Sequence, residues 1–120
     1  REMETNEYLP LQEPTFFILL SLAHEAKHGY AILKDVEQLS GGKIRLGTGT
    51  LYGALSRLLD QGLIQRSPSE NAPDEEGGNP GKPRKTYRLT QSGLHVLHSE
   101  TERLHHLLSA ARLRLGDTRA

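Results

Sequence analysis

Seven positions in the last third of the chain, Leu94, Leu97, Thr101, Leu104, Leu108, Ala111 and Leu115, follow one another in alternating steps of three and four. That spacing puts them on one stripe of an α-helix and marks a coiled-coil seam sustained over three heptads. Thr90 stands where an N-cap belongs and Gly116 lies just past the last seam residue, so the helix is expected to run from about 90 to 115. At about 1.5 Å per residue it spans roughly 39 Å, more than a small domain needs. No other segment of the 120 residues is left to cover such a stripe. The pattern therefore predicts that residues 90–116 form a C-terminal dimerisation helix, packed against a second copy of the chain.

The preceding residues divide into shorter elements. A first helix is expected to open near Pro14, which has no N–H to satisfy there, and to run to His28-Gly29. Its apolar residues, Phe16, Phe17, Leu19, Leu20, Leu22, Ala23 and Ala26, are too many for a one-sided stripe, which predicts burial on more than one face. A second helix covers about Tyr30 to Leu39, with Ile32, Leu33, Val36 and Leu39 on one face, and Ser40-Gly41-Gly42 ends it. Lys43 to Leu46 is a candidate short strand. A third helix runs from about Thr48 to Gln61, and its Leu51, Leu55, Leu58 and Leu59 make an apolar face. Leu63 to Arg66 and Lys85 to Leu89 read as two strands joined by a long loop, Ser67 to Arg84, rich in Pro, Gly and acidic residues.

Three helices followed by a two-stranded hairpin is the layout of a winged helix-turn-helix. The expected fold class is thus mainly α with a small β-hairpin: a winged domain over residues 9–89 plus the long C-terminal helix. In such a layout the third helix enters the major groove of DNA. Its polar face carries the right chemistry. Thr48, Thr50 and Ser56 are short donors for phosphate oxygens or base edges, Arg57 can fork onto a phosphate or a guanine, and Tyr52 offers a ring with a hydroxyl tip. The helix N-terminus adds free N–H groups and a positive dipole.

Net charge is zero, so the chain does not declare a nucleic-acid partner by composition. The distribution is more informative. Lys43, Arg45, Arg57 and Arg66 face only Asp60 within residues 43–66, and Lys82, Arg84, Lys85 and Arg88 have no acid among them. Lys82, Arg84 and Lys85 place cations at the base of the wing, while Asp74-Glu75-Glu76 at its tip repels phosphate. The stem rather than the tip is expected to touch DNA.

His28-Gly29-Tyr30, Gly49-Thr50-Leu51-Tyr52, Ala54-Leu55-Ser56-Arg57-Leu58, Gly62-Leu63-Ile64 and Pro83 to Gly93 occur in an order that resembles the PadR family. The resemblance spans roughly residues 9 to 115. It implies a winged-helix homodimer that represses a promoter on operator DNA and releases it when a small molecule binds, with dimerisation through the last helix. The short tail resembles the compact branch of that family. Two departures stand out: Gly53 follows the tyrosine of the third helix where the family has proline, and the loop from Ser67 to Pro83 is long and acidic for a wing.

Other chemistries find little support. There is no cysteine, which removes disulfides and thiolate chemistry and suits a cytoplasmic location. The N-terminus is polar and acidic, so no secretory leader is expected, and no apolar run is long enough to span a membrane. His95, His98, Glu102, His105 and His106 share one helix, but solvated side chains on a coiled-coil helix explain them, and no metal or other cofactor is expected. No phosphate-binding glycine loop or catalytic triad is present, so an enzyme is not expected. A small-molecule effector is possible between dimer partners, with Phe16, Phe17 and Leu97 as candidate lining residues that core packing explains equally well. The rival class is a winged helix used to bind protein rather than DNA.

Overall fold

The computed structural model describes residues 7–68 and 85–116. The first helix, α1 (Glu13–Ser21), carries Pro14 in its first turn and the acidic Glu13 at its start, where the helix dipole favours a negative charge. It is shorter than the pattern predicts. Ser21 Oγ donates back to the Ile18 carbonyl at 2.7 Å, and the chain leaves the helix at Leu22. The reason lies far away in sequence: Lys27–His28 forms a two-residue strand, β1, which pairs antiparallel with Tyr87 and Thr86. The alanines that extend the helical pattern cannot outweigh that pairing.

The second helix, α2 (Gly29–Leu39), is capped by His28, whose Nδ1 accepts the Ala31 N–H at 3.3 Å. It buries Ile32 and Val36. Residues 43–46 form no strand, contrary to expectation. The Ile44 N–H is taken by Ser40 Oγ at 2.9 Å, and the free edge of the sheet is filled by β1 instead. The third helix, α3 (Thr48–Asp60), buries Leu51, Ala54, Leu55 and Leu58. It closes with Gly62 at φ 74°, donating to Leu59, while Leu63 donates to Leu58. Those two bonds satisfy the last carbonyls of the helix and need a left-handed residue at Gly62.

Strands β2 (Ile64–Pro68) and β3 (Lys85–Leu89) pair antiparallel, from Ile64 opposite Leu89 to Pro68 opposite Lys85. The sheet order is β1-β3-β2. The last helix, α4 (Gln91–Leu115), starts on a tight junction. Thr90 Oγ1 accepts from the Gly93 N–H at 3.0 Å and donates to the Gly62 carbonyl at 2.7 Å, and the Thr90 N–H reaches the Leu63 carbonyl at 3.1 Å. A side chain on Gly93 would overlap the Leu63 carbonyl oxygen, so the helix can sit this close to the turn only with glycine there.

One core joins the elements. Ile18, Leu19 and Leu22 of the first segment meet Ile32, Val36, Leu51, Leu55 and Leu58, with Leu63, Ile64 and Tyr87 from the sheet and Val96 and Leu97 from α4. The side of α4 facing this core is Gly93, Val96, Leu97 and Glu100. From Thr101 onward, every α4 residue except Arg103 is exposed. Leu97, read from the heptad as a seam residue, is thus only 5% exposed and belongs to the core of its own chain. Leu94, Thr101, Leu104, Leu108, Ala111 and Leu115 remain open to solvent. Leu107, outside the heptad reading, is open too, at 56%.

Glu100 is a charge inside this core, 1% exposed. Its Oε2 accepts the Leu11 N–H at 3.0 Å, and Arg103 forks onto both carboxylate oxygens, Nε to Oε1 at 2.6 Å and Nη2 to Oε2 at 2.9 Å. The Arg103 hydrogen bonds hold the carboxyl below its ordinary value of 4.5, against the opposing effect of burial. Glu100 therefore ties the segment before α1 to α4.

Candidate nucleic-acid interface

The partition of α3 into two faces follows from its sequence. With Leu51, Ala54, Leu55 and Leu58 drawn into the core, the opposite side of the helix must point outward. Thr48, Gly49, Thr50, Tyr52, Gly53, Ser56, Arg57 and Asp60 are all exposed. The five α3 residues expected to meet DNA, Thr48, Thr50, Tyr52, Ser56 and Arg57, therefore share the outward side of one helix. Gly47 precedes the helix and brings no capping side chain, and no acid stands in the first turn. The first-turn amides and the positive end of the dipole are thus unopposed by a carboxylate of the helix's own first turn.

Electrostatics sort the cations nearby. Arg45 is paired with Glu37 at 3.3 Å, and Lys27 with Asp35 at 2.8 Å. Arg57 forms no ion pair with a described residue, so its guanidinium is available to an outside anion. A cleft of about 230 Å³ lies beside it, between Tyr8, Leu11 and Gln12 before α1 and Leu58 of α3 with Gln61 just past its end.

On the wing, Lys85 is exposed at the start of β3, whereas Lys82 and Arg84 lie outside the described residues. Along β3 Tyr87 is buried, alternation puts its neighbour Arg88 on the opposite face, and Lys85 is exposed at the strand's start. Arg66 of β2 is exposed as well. Gln65 stands opposite Arg88, and its amide, turned to satisfy both groups, accepts from Arg88 Nε at 2.9 Å and Nη2 at 3.0 Å. The sequence reading counted Arg66 and Arg88 as charge but did not single them out as contacts. Strand alternation about the buried Tyr87 is the signal that would have found Arg88; Arg66 pairs with Tyr87 itself, and alternation gives no such signal for it.

The candidate effector residues have other work. Phe16 and Phe17 pack edge to face at 5.7 Å against the core, and Leu97 is inside it. None of the three lines the cleft beside Arg57. Among the described residues there is no group of three or more His, Cys, Asp or Glu side chains placed to hold a metal. None of the helices there is long and apolar enough to cross a membrane.

A helix-turn-helix whose second helix presents a polar face, followed by a paired β-hairpin and a long terminal helix, defines a winged-helix protein with an appended helix. The chain belongs to the transcriptional regulator PadR-like family, whose profile matches residues 18–99. It resembles a PadR family transcriptional regulator from Eggerthella lenta, at 29% identity over 98% of this chain and 96% of that one, with a TM-score of 0.60. A PadR family transcription regulator from Clostridium difficile gives a TM-score of 0.67 at 24% identity, covering 88% of this chain and all of that one. Bacillus subtilis PadR, solved in complex with operator DNA, gives 0.58 at 25% identity over 73% of this chain and 46% of that one. An uncharacterized 37.1 kDa protein in transposon TN4556 of Streptomyces fradiae is 40% identical over 83 residues, 69% of this chain. The chain spans about a fifth of that relative's length.

Proposed function

We propose that this regulator binds operator DNA directly, as a homodimer that represses transcription from an inverted repeat and is released by a small-molecule effector. The observation that carries the reading is the outward face of α3: short polar side chains around an Arg57 that has no acid partner among the described residues. That face suits a major groove, where small residues let the helix approach and an arginine reads a guanine. The operator-bound relative, 25% identical, supports the same reading.

In this reading residues 9–89 form the DNA-binding unit, with Thr48, Thr50, Tyr52, Ser56 and Arg57 in the groove. Lys82, Arg84 and Lys85 follow the backbone. Residues 90–116 hold the dimer through Leu94, Thr101, Leu104, Leu108, Ala111 and Leu115, with Leu107 widening the stripe. Leu97 drops out of the seam because its own domain covers it. The exposed leucines of α4 support this, since a lone helix does not keep such a run in water without cost.

The test is capture of fragmented genomic DNA on the immobilised protein at physiological salt, followed by sequencing. Enrichment of a few intergenic fragments that share an inverted repeat is expected. Recovery no different from bulk DNA, with protein freed of bound small molecules by refolding, would leave the protein-binding alternative in its place.

A further inference from the structure

Gly29 opens α2 and is buried. Its backbone does not explain the glycine, because it is not among the residues with positive φ. Space does. A methyl group on its Cα would overlap Tyr52 Oη and stand 2.9 Å from Tyr52 Cζ and 3.3 Å from Cε1. The tyrosine ring thus lies where the side chain of residue 29 would be. Tyr52 belongs to the outward face of α3 and is 47% exposed. One side of its ring rests on the start of α2, and the rest is open to solvent. The next residue on α3 is Gly53, and a side chain there would meet nothing within 4 Å.

We propose that Gly29 is a seat for Tyr52, and that Gly29 acts as a positioning residue for the DNA-reading helix by setting where the Tyr52 ring lies. The seat decides how far the ring projects from α3 toward whatever that face meets. The assignment rests on the DNA-binding reading above. Filling the seat does not force the backbone apart, because the obstructing atoms are the far end of a half-exposed side chain that can rotate into water. The ring then moves to the side of α3 that approaches the bases. Stability is nearly preserved while recognition is lost, and that separation distinguishes positioning from packing.

The experiment begins by selecting a duplex from a random library with the wild-type chain. Binding of that duplex and of a scrambled one is then measured by fluorescence anisotropy for wild type, Gly29→Ala, Tyr52→Ala and the double variant, with thermal melting in parallel. Gly29→Ala is expected to melt within about 3 °C of wild type, as for a change the surface absorbs. Its affinity for the selected duplex should fall about tenfold, a size usual for coupling between side chains in contact. Adding Tyr52→Ala to Gly29→Ala should raise affinity again, to the level of Tyr52→Ala alone, because the displaced ring is gone. Tyr52→Phe combined with Gly29→Ala should recover only part of the loss, since Cζ still crowds the methyl. Additive losses in the double variant would overturn the assignment, as would wild-type affinity in Gly29→Ala. A fall in melting temperature of more than about 10 °C would make the contact a folding contact and overturn it equally. If the wild-type chain selects no duplex, the DNA-binding reading itself falls, a result separate from either of these.

Discussion

Replacing Glu100 by Gln preserves shape and removes one charge from the core. In the wild type the carboxylate accepts three hydrogen bonds, one from the Leu11 N–H and two from the Arg103 guanidinium. Hydrogen bonds to charged groups stabilise by about 1.5 to 3 kcal/mol, neutral ones by about 1. The amide keeps one acceptor oxygen but turns an NH₂ group toward donors. Arg103 is about one third exposed and can turn to water, which trims the loss. The expected destabilisation at neutral pH is about 1 to 2 kcal/mol, or a melting temperature lower by roughly 4 to 10 °C for a chain of this size. Glu100→Ala also leaves the half-buried Leu11 N–H without its acceptor and should cost up to about 1 kcal/mol more.

The sign of the pH dependence follows from the direction of the shift. The folded state holds the carboxyl below 4.5, so it binds a proton less readily than the unfolded chain. The charged form's stabilisation is therefore complete above about pH 4.5 and is lost as pH falls through the folded value. Glutamine does not titrate. Melting curves of wild type and Glu100→Gln, taken between about pH 7 and 3, should converge on the acidic side. Parallel curves across that range would refute the reasoning, because they would mean the charge contributes nothing to the fold. Limited proteolysis gives a second view: cleavage before α1 should accelerate in Glu100→Ala, where Leu11 loses its anchor.

Arg57→Ala should weaken specific binding by about 1 to 3 kcal/mol if the guanidinium reads a base, measured by anisotropy against the selected and scrambled duplexes; an equal loss on both would make it a phosphate contact. Leu104→Asp should convert a dimer to a monomer in sedimentation velocity, because a charge would be buried in the proposed seam; an unchanged sedimentation coefficient would place the interface elsewhere. Thr90→Ala removes both the cap of α4 and the bond to the Gly62 carbonyl, and should lower stability by about 1 to 2 kcal/mol in urea unfolding.

Much of this protein is written in local signals. The period of Leu51, Leu55 and Leu58 and the cap at Thr90 are properties of neighbouring residues, and both elements stand where those signals put them. So does the outward placement of Thr48, Thr50, Ser56 and Arg57, which follows once the leucine face is drawn inward. The tertiary structure decided what depends on residues far apart. α1 stops at Ser21 because Lys27–His28 pairs with a strand nearly sixty positions later, and no local pattern encodes that partner. Periodicity showed that α4 has an apolar stripe but not whose core covers each turn; Leu97 lies in its own domain, while Leu104 and Leu108 face outward. Glu100 stands between seam positions with no local signal of its own, and only packing encloses it with Leu11 and Arg103. Gly29 read as a helix boundary, and only the approach of α3 revealed it as the space in which Tyr52 lies. Dihedral preference and hydrophobic period act over a few residues, so the sequence displays them openly. Burial and close approach are set by pairs of surfaces, and these exist only once the chain has folded.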